Sequence, residues 1–254
     1  MLQTALCDGT QQLGAWQAAD IGTASTLPGT TIVVGESVFV CGGGDQLWGT
    51  ADGVRLVYQA ADTPDFDLIA RLDDFVNQHR YTKVGLSVRA STAANAAHFS
   101  VLATRQDGVR LQWRSGNGFG SADRGQAGPN DTIIPTWLRI TRTGGVGGTF
   151  RAFYSTAANP TASDWVQVGV DASFAMPSTV LAGTFVSSRD ATRLSSASFS
   201  NVRVSTPASP TATAVPPTNT SVPPTATAVP PTSTALPAAT ATSTPVATAT
   251  SIPP

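Results

Sequence analysis

Apolar and polar residues alternate in short segments over the first two hundred positions of the chain. Alternation with a period of two is typical of a β-strand that buries one face. Two pairs of segments are joined by turn sequences, 105–108 and the glycine-rich 143–148, and each pair predicts a β-hairpin. The segments that predict strands are 54–59, 69–72, 83–89, 98–102, 109–113, 137–142, 149–155, 165–168, 180–186 and 197–204.

Strands at this spacing predict an all-β domain of two packed antiparallel sheets over residues 1–204. The composition supports this, because helices normally carry Glu and Lys on their wet faces, and this chain has only Glu36 and Lys83. A formal net charge of -1 offers no electrostatic basis for binding nucleic acid or an anionic membrane. No stretch of sequence approaches the ~20 apolar residues that a membrane-spanning helix needs.

The composition changes at Ser205, and residues 205–254 contain no charged residue, glycine or aromatic residue. Such a segment has too little apolar surface to offset the entropy of ordering it, so we expect an extended Thr/Pro/Ala-rich tail. The tail repeats every seven residues, with apolar residues in register at Val215, Val222, Val229 and Leu236. Proline in the repeats excludes a helix, and in polyproline II each seven-residue step rotates these positions by about 120°. The apolar side chains therefore spiral around the tail, which suits a glycan coat or burial among neighbouring chains.

The sequence lacks the usual signatures of catalysis. Glycoside hydrolysis needs two carboxylates that flank the scissile bond, and the chain has a single glutamate. Many of its aspartates fall in predicted turns, where Asp usually bonds to the backbone. His79 and His98 are the only histidines, a structural role is expected for His98, and no Gly-x-Ser-x-Gly motif occurs. We therefore expect a protein that is not an enzyme. The aspartates assigned to turns are Asp62, Asp65, Asp67, Asp73, Asp74 and Asp107.

A sugar-binding surface would present aromatic faces beside polar side chains. Trp113 enters a turn that continues through Arg114 and Asn117 to Phe119, and these four residues form the candidate glycan-contact loop. The alternative is that they form an amphipathic sheet edge. The other strand tryptophans, Trp48, Trp137 and Trp165, are expected in the core.

The series of segments 48–59, 69–72, 83–89, 135–142, 150–155 and 165–169 resembles the concanavalin A-like jelly-roll modules of bacterial secreted proteins. The resemblance covers residues 16–204 and implies a two-sheet jelly roll that in most members has no assigned catalysis. It also implies one structural Ca²⁺ as the most plausible ion, with Asp20, Asp45 and Asp52 as candidate ligands. Turn capping is the alternative for these aspartates. The closing strand has Ser200 where relatives often carry Asp before Asn-Val, so no metal ligand is carried over there.

The tail resembles the Thr/Pro linkers of secreted bacterial proteins, which favours an extracellular or cell-surface location. In an oxidising compartment Cys7 and Cys41 predict one disulfide, and two buried thiols are the alternative. The tail hydroxyls predict O-glycosylation, and two Asn-x-Ser/Thr sequences predict N-glycosylation. The candidate acceptors are Asn130, Asn219, Thr211, Thr213, Thr218, Thr220, Thr225, Thr227, Thr232 and Thr234.

Two functions compete on this evidence. In the first, the chain is a secreted structural subunit of a fibril or surface assembly, held to copies of itself through its glycosylated tail, because a tail that docks on a neighbour makes a contact that propagates. In the second, the jelly roll is a glycan-binding accessory module, and the tail is a linker to an anchor or catalytic domain.

Overall fold

The structure is a computed structural model that describes Cys7, residues 10–190 and residues 192–206. The tail positions predicted for glycosylation and assembly lie outside the described residues. Asn130 is the one predicted glycosylation acceptor within them, and its side chain is exposed. Among the described residues, no helix has the length and apolar character required to cross a bilayer.

The alternating segments form strands, numbered β1 to β17 along the described part of the chain. They are β1 (Gln17–Ile21), β2 (Thr30–Val34), β3 (Ser37–Gly42), β4 (Leu47–Trp48), β5 (Ala51–Asp52), β6 (Val54–Ala61), β7 (Phe66–Phe75), β8 (Lys83–Arg89), β9 (His98–Thr104), β10 (Gly108–Arg114), β11 (Ala122–Ala127), β12 (Thr136–Thr143), β13 (Thr149–Ser155), β14 (Val166–Gln167), β15 (Ala172–Ser173), β16 (Val180–Ser187) and β17 (Ser195–Ser205). Short 3₁₀ helices occupy Gly22–Thr26, Gly145–Gly147 and Ala162–Asp164.

The strands build two large antiparallel sheets that pack as a jelly-roll sandwich, so the predicted fold class is confirmed. The seven-stranded sheet has the order β1-β6-β16-β8-β9-β10-β11. The eight-stranded sheet has the order β14-β13-β12-β7-β17-β3-β2, with β15 beside β13. Strands β4 and β5 pair only with each other and form a small hairpin outside both sheets.

The core lies between the two sheets and is filled by the inward half of each alternating segment. Strand β9 places Phe99, Val101 and Ala103 there, and all three are fully buried. Phe99 stacks on Phe150 of the opposite sheet with ring centroids 5.4 Å apart. Burial of such side chains is the main driving force for sandwich formation.

Tryptophan positions differ from the prediction in two of three cases. Trp137 is buried as predicted. Trp165 is half-buried outside both apolar clusters, with the Arg139 guanidinium carbon 5.6 Å from its indole centroid, so its assignment to the core is wrong. Trp48 is 45% exposed, so its assignment to the core is wrong. The reason is that Trp48 belongs to the β4–β5 hairpin, which is not part of either sheet and leaves one face open to solvent.

Three of the aspartates assigned to turns lie within β7 instead. Their carboxylates form ion pairs with arginines on the outer face of the eight-stranded sheet or in a nearby turn. These ion pairs stabilise the charged carboxylates within a strand. The pairs are Asp67 with Arg139, Asp73 with Arg71 and Asp74 with Arg105.

A disulfide joins Cys7 to Cys41, with the two Cα atoms 5.3 Å apart. It is the pairing that the sequence analysis predicted for an oxidising compartment. Because Cys41 lies on β3 and is buried, the bond ties the N-terminal segment to the eight-stranded sheet.

Candidate functional site

Residues 43–53, here called the covering loop, connect β3 to β6 and include the β4–β5 hairpin. Leu47 is 1% exposed and anchors the loop in an apolar cluster on the outer face of the seven-stranded sheet. Gly44 has a φ of 100°, which favours glycine, and its carbonyl accepts the backbone N–H of Arg189 at 2.9 Å. The partners of Leu47 in the cluster are Ile21, Val54, Leu56, Leu102 and Phe185. The loop is thus fixed on that sheet at several points.

The covering loop contributes Asp52 to a cluster of buried side chains, here called the buried network, whose other members, Arg89, His98 and Arg114, lie on the sheet beneath the loop. The side chains of Asp52, Arg89 and Arg114 are 0% exposed. Arg114 binds both carboxylate oxygens of Asp52, at 2.7 and 2.8 Å, and Arg89 donates to one of them at 2.7 Å. Charge-assisted bidentate contacts of this kind are the strong class of hydrogen bond. Arg114 also donates to the Gly49 carbonyl at 2.9 Å, so the network holds the covering loop down.

Burial and charge set the protonation states of the buried network. The pKa of His98 is lowered to about 3, chiefly by burial, while Asp52 acts to raise it and Arg89 and Arg114 act to lower it. The His98 ring nitrogens lie 3.0 Å from Ser100 Oγ and 3.1 Å from Ser121 Oγ, so the neutral ring is satisfied. Burial acts to raise the pKa of Asp52, but His98 and the arginines outweigh it and lower that pKa. The network therefore has the features of a structural element.

The predicted glycan-contact loop does not form one surface. Arg114 belongs to the buried network, so its assignment to ligand contact is wrong. Trp113 points to the opposite face of β10, stacks on Phe174 at 5.5 Å and is covered by Arg124 at 4.5 Å. Trp113 is partly buried by these contacts, and a ligand contact there stays a prediction. Neighbouring strand residues face opposite sides of a sheet, and this alternation separates Trp113 from Arg114.

The other two residues of that loop are placed differently. The Asn117 side chain accepts the backbone N–H of Ala97 at 3.0 Å, which is a structural contact. Phe119 is 62% exposed. A ligand contact at Asn117 or Phe119 stays a prediction.

The aspartates predicted as calcium ligands are not brought together. Asp52 is wrong as a ligand, because two arginines occupy both of its oxygens. Asp20 forms an ion pair with Arg55 at 2.7 Å, and Asp45 accepts a hydrogen bond from the Thr23 hydroxyl. Within residues 10–190 and 192–206 and at Cys7, no group of three or more His, Cys, Asp or Glu side chains could hold a metal ion.

An open cleft of about 340 Å³ lies on the same outer face as the buried network. Its floor consists of outward-facing residues that alternate with the core residues of β8, β9 and β10. Its walls come from the covering loop and from the segments that precede β8 and follow β16. The cleft is lined by Gln46, Trp48, Tyr81, Lys83, Leu102, Thr104, Asp107, Arg110, Gln112, Asp123 and Arg189.

Two aromatic rings stand at the cleft with large exposed areas. Trp48 is 45% exposed and Tyr81 is 42% exposed. Each belongs to a segment whose backbone is held by contacts, since Trp48 lies in the covering loop and the backbone N–H of Tyr81 donates to His79 Nδ1 at 3.0 Å. An exposed, rigid aromatic side chain offers a large contact area at low entropic cost.

One polar group on the floor of the cleft, the side-chain oxygen of Gln112, has unused hydrogen-bonding capacity. The side-chain oxygen of Gln112 is buried and has no hydrogen-bond partner among the described residues. An orphaned buried acceptor of this kind is costly, and a ligand hydroxyl would satisfy it. Nearby, Arg110 and Asp123 form an ion pair at 2.7 Å.

The cleft was not found from the sequence. Its floor residues Lys83, Thr104 and Gln112 lie on three separate strands, and only the pairing of β8, β9 and β10 brings them to one place. The available signal was the alternation itself, since these polar residues occupy the outward positions of strands whose inward positions are apolar.

No family model and no curated protein matches the sequence. Solved structures match it in fold. A functionally unknown protein from Saccharomyces cerevisiae superimposes with a TM-score of 0.56 and 15% identity, over 79% of this chain and 100% of that one. This likeness supports the β-sandwich fold, which is also consistent with the concanavalin A-like resemblance.

Two further structures match with lower scores. The carbohydrate-binding module CBM66 from Bacillus subtilis has a TM-score of 0.43 and 13% identity, over 78% of this chain and 99% of that one. A xylan β-1,4-xylosidase from Bacillus halodurans C-125 has a TM-score of 0.47 and 9% identity, over 77% of this chain and 40% of that enzyme.

Proposed function

We propose that the β-sandwich is a non-catalytic carbohydrate-binding module and that its ligand lies in the cleft. The observation that carries this proposal is the combination of two exposed aromatic rings, Trp48 and Tyr81, with the unpartnered Gln112 oxygen in one concave surface. Ligand sites are typically concave, with apolar walls and a few polar groups that fix orientation. Sugars match this pattern, because their ring C–H groups pack on aromatic faces and their hydroxyls bond to polar side chains.

The covering loop supports the proposal through its rigidity. A binding surface gains affinity when its groups are held in place before the ligand arrives. Trp48 is held by Leu47 on one side and by the bond from Arg114 to Gly49 on the other. The buried network therefore serves the cleft by positioning one of its walls.

A polysaccharide panel in affinity gel electrophoresis tests the site. Trp48→Ala is expected to weaken binding at least tenfold, which is about 1.4 kcal/mol, and to leave the folded structure intact. Phe119→Ala is the matched control, because Phe119 is exposed in the loop favoured by sequence and does not line the cleft. Loss of binding in Phe119→Ala alone would move the site to that loop, and a wild-type chain retained by no polysaccharide would end the proposal.

We propose binding in preference to catalysis because both carboxylates that line the cleft are engaged by arginines. Asp123 lies 2.7 Å from Arg110, and Asp107 lies 3.6 Å from Arg80. A glycosidase needs two carboxyl groups that act across the scissile bond, and both carboxylates of this cleft are instead paired with guanidinium groups. Release of reducing ends from a bound polysaccharide, abolished in Asp123→Asn, would overturn this part of the proposal.

We propose a second function for the tail, namely assembly of copies of this chain in a secreted fibril or surface layer. The supporting observation is the seven-residue repeat, with Val215, Val222, Val229 and Leu236 in register between hydroxyl residues. Analytical ultracentrifugation of the full chain and of a chain that ends at Ser209, the last residue of the first compact unit, tests it. Large assemblies are expected from the full chain only, and two monomeric species would contradict the proposal.

A further inference from the structure

The charges that line the cleft are unevenly paired. Among the three cations, Arg110 is neutralised by Asp123, whereas the Lys83 ammonium and the Arg189 guanidinium have no carboxylate within ion-pair distance among the described residues. Lys83 donates to the Tyr81 carbonyl at 3.2 Å, and Arg189 donates to the Asp45 carbonyl at 2.6 Å. Carbonyl groups accept these hydrogen bonds but carry no negative charge, and the Lys83 ammonium also lies over the Tyr81 ring, 5.8 Å from its centroid.

Lys83 is charged at an unfavourable location. The residue is 8% exposed, and burial, with Arg189 adding to it, lowers its pKa to about 8, although Asp107 and Asp123 act in the opposite direction. A buried ammonium that has no carboxylate within ion-pair distance lowers the stability of the free protein. An anion in the cleft would offset that cost.

Arg189 is held in a strained backbone conformation. Its φ of 61° lies in the left-handed region, which residues other than glycine seldom adopt. Such conformations cluster where function requires a side chain at a particular place. This conformation places a guanidinium group, which binds planar anions with two hydrogen bonds, in the lining of the same cleft as Lys83.

From this arrangement, and on the basis of the proposed glycan-binding function, we propose that the cleft selects acidic saccharides. The anionic group of the sugar, a carboxylate or a sulfate, is bound by Lys83 and Arg189. The Gln112 oxygen accepts a sugar hydroxyl, and Trp48 and Tyr81 provide apolar contact. The whole protein has a net charge of -1, so selectivity for an anion arises from this local pair of cations and not from a general positive field.

Two pairs of polymers test the proposal, and each pair differs only in charge. Polygalacturonate is compared with its methyl ester, and dextran sulfate with dextran, by affinity gel electrophoresis at pH 7. A preference of at least tenfold for the charged member of one pair is expected, and which pair shows it identifies the anion as carboxylate or sulfate. Lys83→Met should remove the preference, whereas Arg203→Gln, which removes an exposed cation from the eight-stranded sheet, should keep it.

The pH dependence gives a signature that a structural role of Lys83 would not produce. Affinity for the charged polymer should fall between pH 7 and pH 9 as Lys83 loses its proton, and the fall should be absent in Lys83→Arg. The charged groups that face Lys83 are Arg110, Arg189, Asp107 and Asp123. The two arginines stay protonated across this range.

The outcomes separate this inference from the function on which it rests. Retention on polysaccharides with no preference for the charged member, or a preference that Lys83→Met leaves intact, overturns the acidic-sugar inference while the binding function stands. No retention on any polysaccharide overturns both.

Discussion

The outer face of the seven-stranded sheet carries two charged regions, and they differ in how their charges are neutralised. In the buried network, the Asp52 carboxylate accepts hydrogen bonds of 2.7–2.8 Å from the guanidinium groups of Arg89 and Arg114. Every side chain of the network is 0% exposed. In the cleft, Lys83 and Arg189 bond only to carbonyl groups, and the Gln112 oxygen is unpartnered among the described residues. One region is sealed by the covering loop, and the other is open beside it.

The comparison separates a structural charge cluster from a candidate binding site. Buried charges are tolerated when hydrogen bonds and opposite charges satisfy them, as in the buried network. Groups that stay unsatisfied at a concave surface raise the energy of the free protein and are free to bond with a ligand. Charge alone does not distinguish the two regions, because both contain basic residues on β8 and β10.

The largest expected effect comes from opening the sealed region. Asp52→Ala leaves two buried arginines without a counter-ion and should lower the free energy of unfolding by about 3–5 kcal/mol. Asp171→Ala is the control, because Asp171 is 45% exposed in its pair with Arg151, and such pairs contribute about 0–1 kcal/mol. Urea denaturation measures both. Equal losses of unfolding free energy in the two variants would contradict a structural role for the buried network.

The pH dependence of stability should also originate in the sealed region. His98 has a pKa of about 3 in the folded protein, below its value in the unfolded chain. Its contribution to the free energy of unfolding is therefore fully present above pH 6.5 and is lost as the pH falls towards 3. The expected slope from this group is about 1.4 kcal/mol per pH unit within that window. Comparison of wild type with His98→Gln by denaturation at pH 7 and pH 5 isolates it. A stability difference between the two proteins that does not change with pH would contradict the neutral, buried state of His98.

A substitution in the cleft is expected to raise the free energy of unfolding, in contrast to Asp52→Ala, and by a smaller amount. The pKa of Lys83 is lowered to about 8, so charged Lys83 destabilises the fold below pH 8, and the penalty disappears as the pH rises through the unfolded pKa. Lys83→Met should therefore raise the free energy of unfolding at pH 7 by about 1–3 kcal/mol. Residues that are retained for ligand binding often lower the stability of the free protein in this way. A destabilised Lys83→Met variant would assign Lys83 to the structural class.

Much of the fold was predictable from local pattern, and the candidate site was not. The alternation at 83–89 and 98–102 predicted strands β8 and β9, because the period of the apolar residues can be read within each segment. The same alternation already implied that Trp113 and Arg114 face opposite sides of β10. Their grouping as one contact loop failed because it followed proximity in sequence and ignored strand direction.

The exposure of Trp48 illustrates a second limit. Its neighbours in sequence suggested a core strand, but β4 and β5 pair only with each other, and the covering loop turns Leu47 inward and Trp48 outward. Which of the two is buried depends on the apolar cluster beneath the loop, whose members come from β1, β6, β9 and β16. No local pattern carries that information.

The amino-acid sequence by itself determined the all-β class, the positions of most strands and the change of composition at Ser205, because each depends on residues close together in the chain. Only the tertiary structure decided which charges are sealed and which are open. Asp52 meets Arg114 across 62 residues, and Lys83 shares the cleft with Arg189 because β8 pairs with β16. The neutralisation of a buried charge depends on the groups within a few ångströms of it, and the sheet topology brings those groups together from distant parts of the chain.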